Sequence, residues 1–169
     1  MNSTIQHAIN DQIHVELSSA YFYLSAVGYF ENANLAGFAK WMRVQAQEEV
    51  GHAMRFFDFV NDRGSRVTLQ SIEQPPNDFA SPLDVFTRAL QHERTVTTKI
   101  NTLYALAVQE SDYPAQVLLQ WFISEQVEEE KNASRILEEL KMAGENPSAL
   151  LLLDNNIGAR RTAEAAPEA

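Results

Sequence analysis

Four long stretches of helical periodicity are separated by two short breaks and one long one, and those connection lengths leave very few topologies open. From about Thr4 to Phe30, apolar residues recur at helical spacing as Ile5, Ile9, Ile13, Leu17, Ala20, Leu24 and Val27, until Asn32-Ala33-Asn34 breaks the pattern. A second stretch carries Leu35, Phe38, Met42, Ala46, Ala53, Phe56 and Val60, with Gly64 as its stop. Residues 65–80 contain Pro75-Pro76 and little periodicity. Ser81-Pro82 opens a third helix as N-cap and N1 proline. Asp112-Tyr113-Pro114 separates it from a fourth, which Gly144 closes. The expected bounds are 4–31, 34–63, 81–110 and 113–143, with a short fifth helix at 147–158 that contains Leu150–Leu153. A disordered Ala- and Glu-rich tail is expected from 159 to 169, and residues 1–169 are expected to form one domain.

Short loops make helices one and two antiparallel, and likewise three and four. The middle connection of about 16 residues can reach roughly 50 Å, whereas a helix of about 28 residues is only about 42 Å long. The connection can therefore run the length of the bundle and set helices two and three parallel. The predicted fold is all-α, a four-helix bundle with one long crossover and a short fifth helix.

Carboxylates converge at one level of that bundle. Glu16 lies 17 residues before Ala33 and Glu49 lies 16 after it. Glu93 lies 19 before Asp112 and Glu129 lies 17 after it. Antiparallel pairing thus brings all four near mid-bundle, since each residue rises only about 1.5 Å. Two of the helices add a second donor three residues away, giving Glu49-x-x-His52 and Gln126-x-x-Glu129, and residues so spaced share a face. A lone carboxylate on each of two helices, with an i, i+3 pair on each of the other two, is the inventory from which a bundle builds a two-metal carboxylate site. Taken singly, each acid reads as surface, and Glu128-Glu129-Glu130 as a solvated face. Their joint level on four helices is what argues for a site. Four carboxylates balance two divalent ions, which makes burial of the charge tolerable. Oxygen-rich ligation favours the harder Fe(III), so such a site promotes loss of electrons from Fe(II) to dioxygen. Tyr23 is two turns from Glu16 on the same face. His7, His14 and His92 read as ordinary helix residues, and Trp41 and Trp121 as core aromatics.

Composition narrows the chemistry further. The chain has no Cys, which removes thiolate zinc sites, iron–sulfur clusters and disulfides. Any metal must use oxygen and imidazole, which suits iron, manganese or zinc. A net charge of −10 is the wrong sign for nucleic acid. There is no uninterrupted apolar run of about 20 residues to span a bilayer, and no Lys or Arg precedes Lys40 to form a basic leader. A cytoplasmic protein is expected, or an organellar one if the N-terminus is processed.

The residues now resemble a known family, the non-haem ferritins of bacterial type, over essentially 3–158. The most specific stretches are Glu16-Leu17-Ser18-Ser19, Ala46-Gln47-Glu48-Glu49-Val50-Gly51-His52, and Gln120-Trp121-Phe122-Ile123-Ser124-Glu125-Gln126-Val127-Glu128-Glu129-Glu130-Lys131, with Asp112-Tyr113-Pro114 before the fourth helix. The resemblance implies a ferritin-like fold and a ferroxidase centre, with iron as the metal and Fe(II) and O2 as substrates. Its first iron would be held by Glu16, Glu49 and His52. Its second would be held by bridging Glu49 with Glu93 and Glu129, Gln126 lying nearby. A third iron position would fall on Glu48, Glu125, Glu128 and the shared Glu129. Tyr23 matches a tyrosine beside the centre that donates an electron in some members. The resemblance also implies a 24-subunit shell that stores a ferric mineral, with the fifth helix at its four-fold axes. Val50 stands where the haem-binding branch has Met, so no haem is expected. That branch also has Glu-x-x-His where this chain has Gln126-x-x-Glu129. Gln116 and Leu119 stand where animal ferritins place acids in a three-fold channel. Two other readings compete: a di-iron protein that detoxifies peroxide or iron with little storage, and a metal-free helical scaffold.

Overall fold

The computed structural model of the chain describes residues 1–164, with side chains through Arg160. Five helices follow in order: α1 Ser3–Asn32, α2 Ala36–Asp62, α3 Pro82–Gln109, α4 Tyr113–Ala143 and α5 Pro147–Glu164. No strand occurs among the described residues.

The local signals act as their chemistry dictates. Ser81 Oγ accepts from the Asp84 N–H at 3.1 Å, and Asp112 Oδ1 accepts from the Ala115 N–H at 3.1 Å, each ahead of a first-turn proline. The first three helices all end in a Schellman turn. Leu35, Ser65 and Asp112 donate their N–H groups back to the carbonyls of Phe30, Val60 and Ala107, across left-handed residues Asn34, Gly64 and Ser111. Asn and Gly take that conformation readily; a serine there costs about 1–2 kcal/mol.

The crossover ascends along α1. Gln6 Nε2 donates to Arg66 O at 2.9 Å, the Thr68 N–H to Asn10 Oδ1 at 2.8 Å and Gln70 Nε2 to Asp11 Oδ1 at 2.7 Å. Farther up, His14 meets Ser71 O, Ser25 Oγ donates to Pro76 O, and Phe79 packs edge-on against Phe22 and Tyr29. The crossover therefore delivers α3 to the end of the bundle where α2 begins, and α2 and α3 run parallel.

A polar layer divides the core. One side holds the aromatics Phe22, Phe30, Phe38, Trp41 and Phe86; the other is aliphatic-rich, with Ile5, Ile9, Ile13 and Ile100 beside Phe56 and Phe122. Gln12, Glu16, Ser19, Gln45, Glu49, His52, Glu93, Gln126 and Glu129 are all buried as well.

α5 is fastened to the first turn of α2. Leu35, the N-cap of α2, makes no side-chain cap bond. Asp154 supplies one from α5, accepting the Phe38 N–H at 2.8 Å. Glycine makes the approach possible: a Cβ at Gly37 would lie 1.8 Å from the Asp154 carbonyl oxygen, and one at Gly158 would lie 2.9 Å from Gly37 Cα.

Two expectations need correction. Leu24 is 48% exposed. The buried line of α1 runs through Ala20, Tyr23 and Val27, and Leu24 sits about 100° round the helix from Tyr23. α5 does not stop at 158 but continues to Glu164, so residues 159–164 are helix rather than tail. No proline or glycine follows Gly158 within it, and Arg160 holds Glu139 on α4 through bonds of 3.0 and 2.7 Å. The remainder of the expected tail, 165–169, lies outside the described residues.

Candidate metal centre

Each carboxylate of the polar layer comes from a different helix. On α1, Glu16 is 1% exposed, and Gln12, one turn earlier, donates to its Oε1 at 2.8 Å. Its Oε2 is buried and no hydrogen-bond donor reaches it among the described residues. That oxygen belongs to a carboxyl facing Glu49 of α2, which when ionised is also an acceptor. His52, one turn on, places Nδ1 3.5 Å from Glu49 Oε2. Glu16, Glu49 and His52 each offer a ligand atom within 4.8 Å of the others.

The α3–α4 side is arranged differently. Tyr23 donates its hydroxyl to Glu93 Oε1. Gln126 Nε2 lies 3.3 Å from Glu93 Oε2 and 3.2 Å from the Glu93 main-chain oxygen. Glu129 Oε2 accepts from Gln45 Nε2 of α2 at 2.7 Å. Glu93 belongs to neither group of three potential ligands among the described residues; both its oxygens accept hydrogen bonds.

Electrostatics follow from burial. Desolvation pushes Glu16 well above the usual carboxylate range, and the charge of Glu49 pushes it further. Desolvation does the same to Glu49, with Glu93 and Glu129 as the next causes. Burial also raises Glu93, though bonds from Tyr23 and Gln126 oppose the shift. The Tyr23 phenol is pushed well up by burial and by the carboxylates around it, so it keeps its proton. Glu16, Glu49 and Glu93 are thus set against ionising together in the dry interior, and cations would offset that cost. The orphaned Glu16 oxygen and an oxygen–imidazole donor set therefore fit two hard or borderline divalent ions.

Of the positions implied for a third ion, Glu125 Oε1 lies 3.9 Å from His52 Nε2, and His52, Glu125 and Glu129 form the second group of three. Glu48 is half-buried and Glu128 exposed; neither joins a group of three among the described residues. Trp121 is only half-buried. Its ring carries the Arg55 guanidinium 3.6 Å above it and meets His52 at 5.5 Å.

Sequence reasoning missed Gln12 and Gln45, the buried amides that hold Glu16 and Glu129. The signal was there: each stands four residues before an acid of the layer, Glu16 or Glu49, hence on the same face. It also missed Thr97, one turn after Glu93, whose hydroxyl donates to Glu130 at 2.6 Å.

Comparison with known proteins agrees with the arrangement. A family model described as a ferritin-like domain matches residues 6–143. A bacterial non-heme ferritin of Bacteroides fragilis is 38% identical over 95% of this chain and 99% of its own. A probable bacterial non-heme ferritin-like protein of Haemophilus influenzae is 34% identical over 94% and 96%. Among solved structures, an open pore ferritin from the hyperthermophilic archaeon Archaeoglobus fulgidus superposes with a TM-score of 0.92 at 46% identity, covering 94% of this chain and 98% of that one. With four buried carboxylates gathered from four helices of a single-crossover bundle, the chain belongs to the ferritin family.

Proposed function

We propose that the chain is an iron-storage ferritin that oxidises Fe(II) with O2 at an intrasubunit di-iron centre. Glu16, Glu49 and His52 bind the first Fe(II); Glu49, Glu93 and Glu129 bind the second, with Gln126 beside it. Two Fe(II) give up one electron each, O2 is reduced to the peroxide level, and that dianion offsets the two positive charges that the four carboxylates do not balance. Tyr23, bonded to Glu93, is placed to lend a further electron. Glu48, Glu125, Glu128 and Glu129 form a third iron position on the α2–α4 side, through which Fe(III) leaves toward the mineral. The observation that carries this reading is the buried group Glu16–Glu49–His52 with one carboxylate oxygen that no donor satisfies. A cation answers that geometry, and a scaffold has no use for it.

Residues 1–169 act as one domain, working in the cytoplasm and assembling with copies of itself into a 24-subunit shell. Support for assembly comes from large apolar side chains left in solvent, among them Tyr21 at 46%, Tyr113 at 71% and Val117 at 69%. No helix among the described residues is long and apolar enough to cross a membrane.

The test is to add two Fe(II) per subunit, in air, to the metal-free protein and follow rapid-mixing absorbance together with oxygen uptake. A fast coloured transient that decays to ferric absorbance, with O2 consumed, is expected. Oxidation no faster than in buffer would refute the proposal. Particle size and iron content then separate storage from detoxification alone.

A further inference from the structure

Beside the second metal position runs a string of polar groups to which the reaction above gives no part. Gln126 is 3% exposed, and its amide nitrogen faces three atoms: the Glu93 main-chain oxygen at 3.2 Å, Glu93 Oε2 at 3.3 Å and Thr97 Oγ1 at 3.3 Å. A threonine hydroxyl has one proton, and that of Thr97 goes to Glu130 Oε1 at 2.6 Å. Thr97 Oγ1 therefore meets Gln126 as an acceptor. Every neighbour of this end of the amide is an acceptor, so the end must be the NH2 group, and the network itself fixes the orientation. Turned over, the amide would set its oxygen against three others. Glu130 is steadied in turn by Arg94, whose Nε lies 3.8 Å away. Thr97, Gln126 and Glu130 line one cleft of about 300 Å3 between α3 and α4. Thr97 and Glu130 are half-buried there while Gln126 is closed off.

This arrangement bears on the second ion. An ion bound by Glu93 has to share Oε2 with the Gln126 NH2, and the positive end of the amide dipole faces the cation. The amide oxygen, the only atom of Gln126 able to ligate, is held away. We propose that Thr97 and Glu130 are positioning residues: by locking Gln126 as a donor to Glu93 they keep it from ligating and make the second ion the more weakly held of the pair. The inference rests on the two-ion reading of the site.

Removing the Thr97 hydroxyl deprives the amide of one acceptor, so it turns more readily and offers its oxygen to the metal. The measurement is calorimetric titration of metal-free protein with Zn(II), which binds without redox chemistry, in the wild type, Thr97→Val and Thr97→Ser. Glu93→Ala identifies which step belongs to the second position. Thr97→Val is expected to tighten that step by up to about tenfold, the upper end of what one neutral hydrogen bond contributes, and to leave the first step unchanged. Thr97→Ser, which restores the hydroxyl, returns the wild-type isotherm. An unchanged or weakened second step in Thr97→Val overturns the proposal. So does an equal shift of both steps, which marks a general structural effect, or a serine variant that behaves as valine does. A wild type that binds no Zn(II) in two steps overturns both the proposal and the two-ion reading beneath it.

Discussion

On the α1–α2 side of the centre, Glu16 and Glu49 face each other, and one Glu16 oxygen finds no donor. On the α3–α4 side, Glu93 takes a hydrogen bond from Tyr23 on one oxygen and from Gln126 on the other, while Gln45 holds Glu129. Both sides set two carboxylates in a dry interior. The difference lies in what an arriving ion must undo. At the first position Gln12 leaves one oxygen of Glu16 without a donor, so an ion can take that oxygen and keep the Gln12 bond. At the second it competes with donors already in place. On the proposed two-ion reading, the side with an oxygen no donor reaches should load before the side whose Glu93 oxygens are both held.

The most drastic way to break the contrast is to remove the group common to both positions. Glu49→Ala should reduce Fe(II) oxidation in rapid mixing to the rate seen in buffer; rapid oxidation that survives would mean Glu49 bridges nothing. The next test exploits opposite signs in metal-free protein. Glu93→Gln sets an NH2 against the Gln126 NH2 and should lower stability by about 1–3 kcal/mol. Glu16→Gln keeps a donor toward Glu49 at every pH and removes an ionisable group from the interior, and should raise stability by about 1–2 kcal/mol. Thermal midpoints at one protein concentration check the pair, and shifts of the same sign would erase the distinction between the two sides.

A smaller effect is expected at Gln12, which holds the satisfied oxygen of Glu16. Gln12→Leu should weaken the first Zn(II) step by about tenfold, as loss of an orienting partner commonly does, while the second step moves less. Least in size is the dependence on pH. Glu16, Glu49 and Glu93 are raised in the folded chain, so it binds more protons than the unfolded chain does. Their contribution to stability is complete below the unfolded carboxyl range, near about pH 4, and is lost as pH rises through the folded values. Asp112 and Glu139, lowered by Arg63 and Arg160, act with the other sign at the acid end. The comparison with a variant isolates the centre: metal-free wild type should lose thermal stability more steeply between pH 5 and 7.5 than Glu16→Gln does. Parallel slopes in differential scanning calorimetry would show that Glu16 is not raised.

How much of this could be read beforehand depended on how local each cause is. Ser81-Pro82 and Gly64 act within a turn of themselves, so the helix ends were legible. The level of Glu16, Glu49, Glu93 and Glu129 needed only loop position and helical rise. Leu24 was misplaced because an apolar residue one step off the buried line satisfies a loose periodicity as well as a core residue does. Gln126 was legible as a neighbour of the centre, but the face it presents depends on Thr97 and Glu130, which lie on two different helices. The cap that Asp154 gives α2 was invisible, since no spacing rule links residues so far apart in the chain.

That cap carries a consequence for the order of events at the ribosome. Phe38 and Asp154 are separated by 116 residues. At ordinary rates of synthesis, about 5–20 residues per second, the first turn of α2 waits roughly 6–23 seconds for its carboxylate. Until then its amide has only water, and the Gly37 groove into which α5 settles stands empty. The last helix to be made thus completes one of the first, and a chain that stops short of Asp154 begins α2 with an unfinished end.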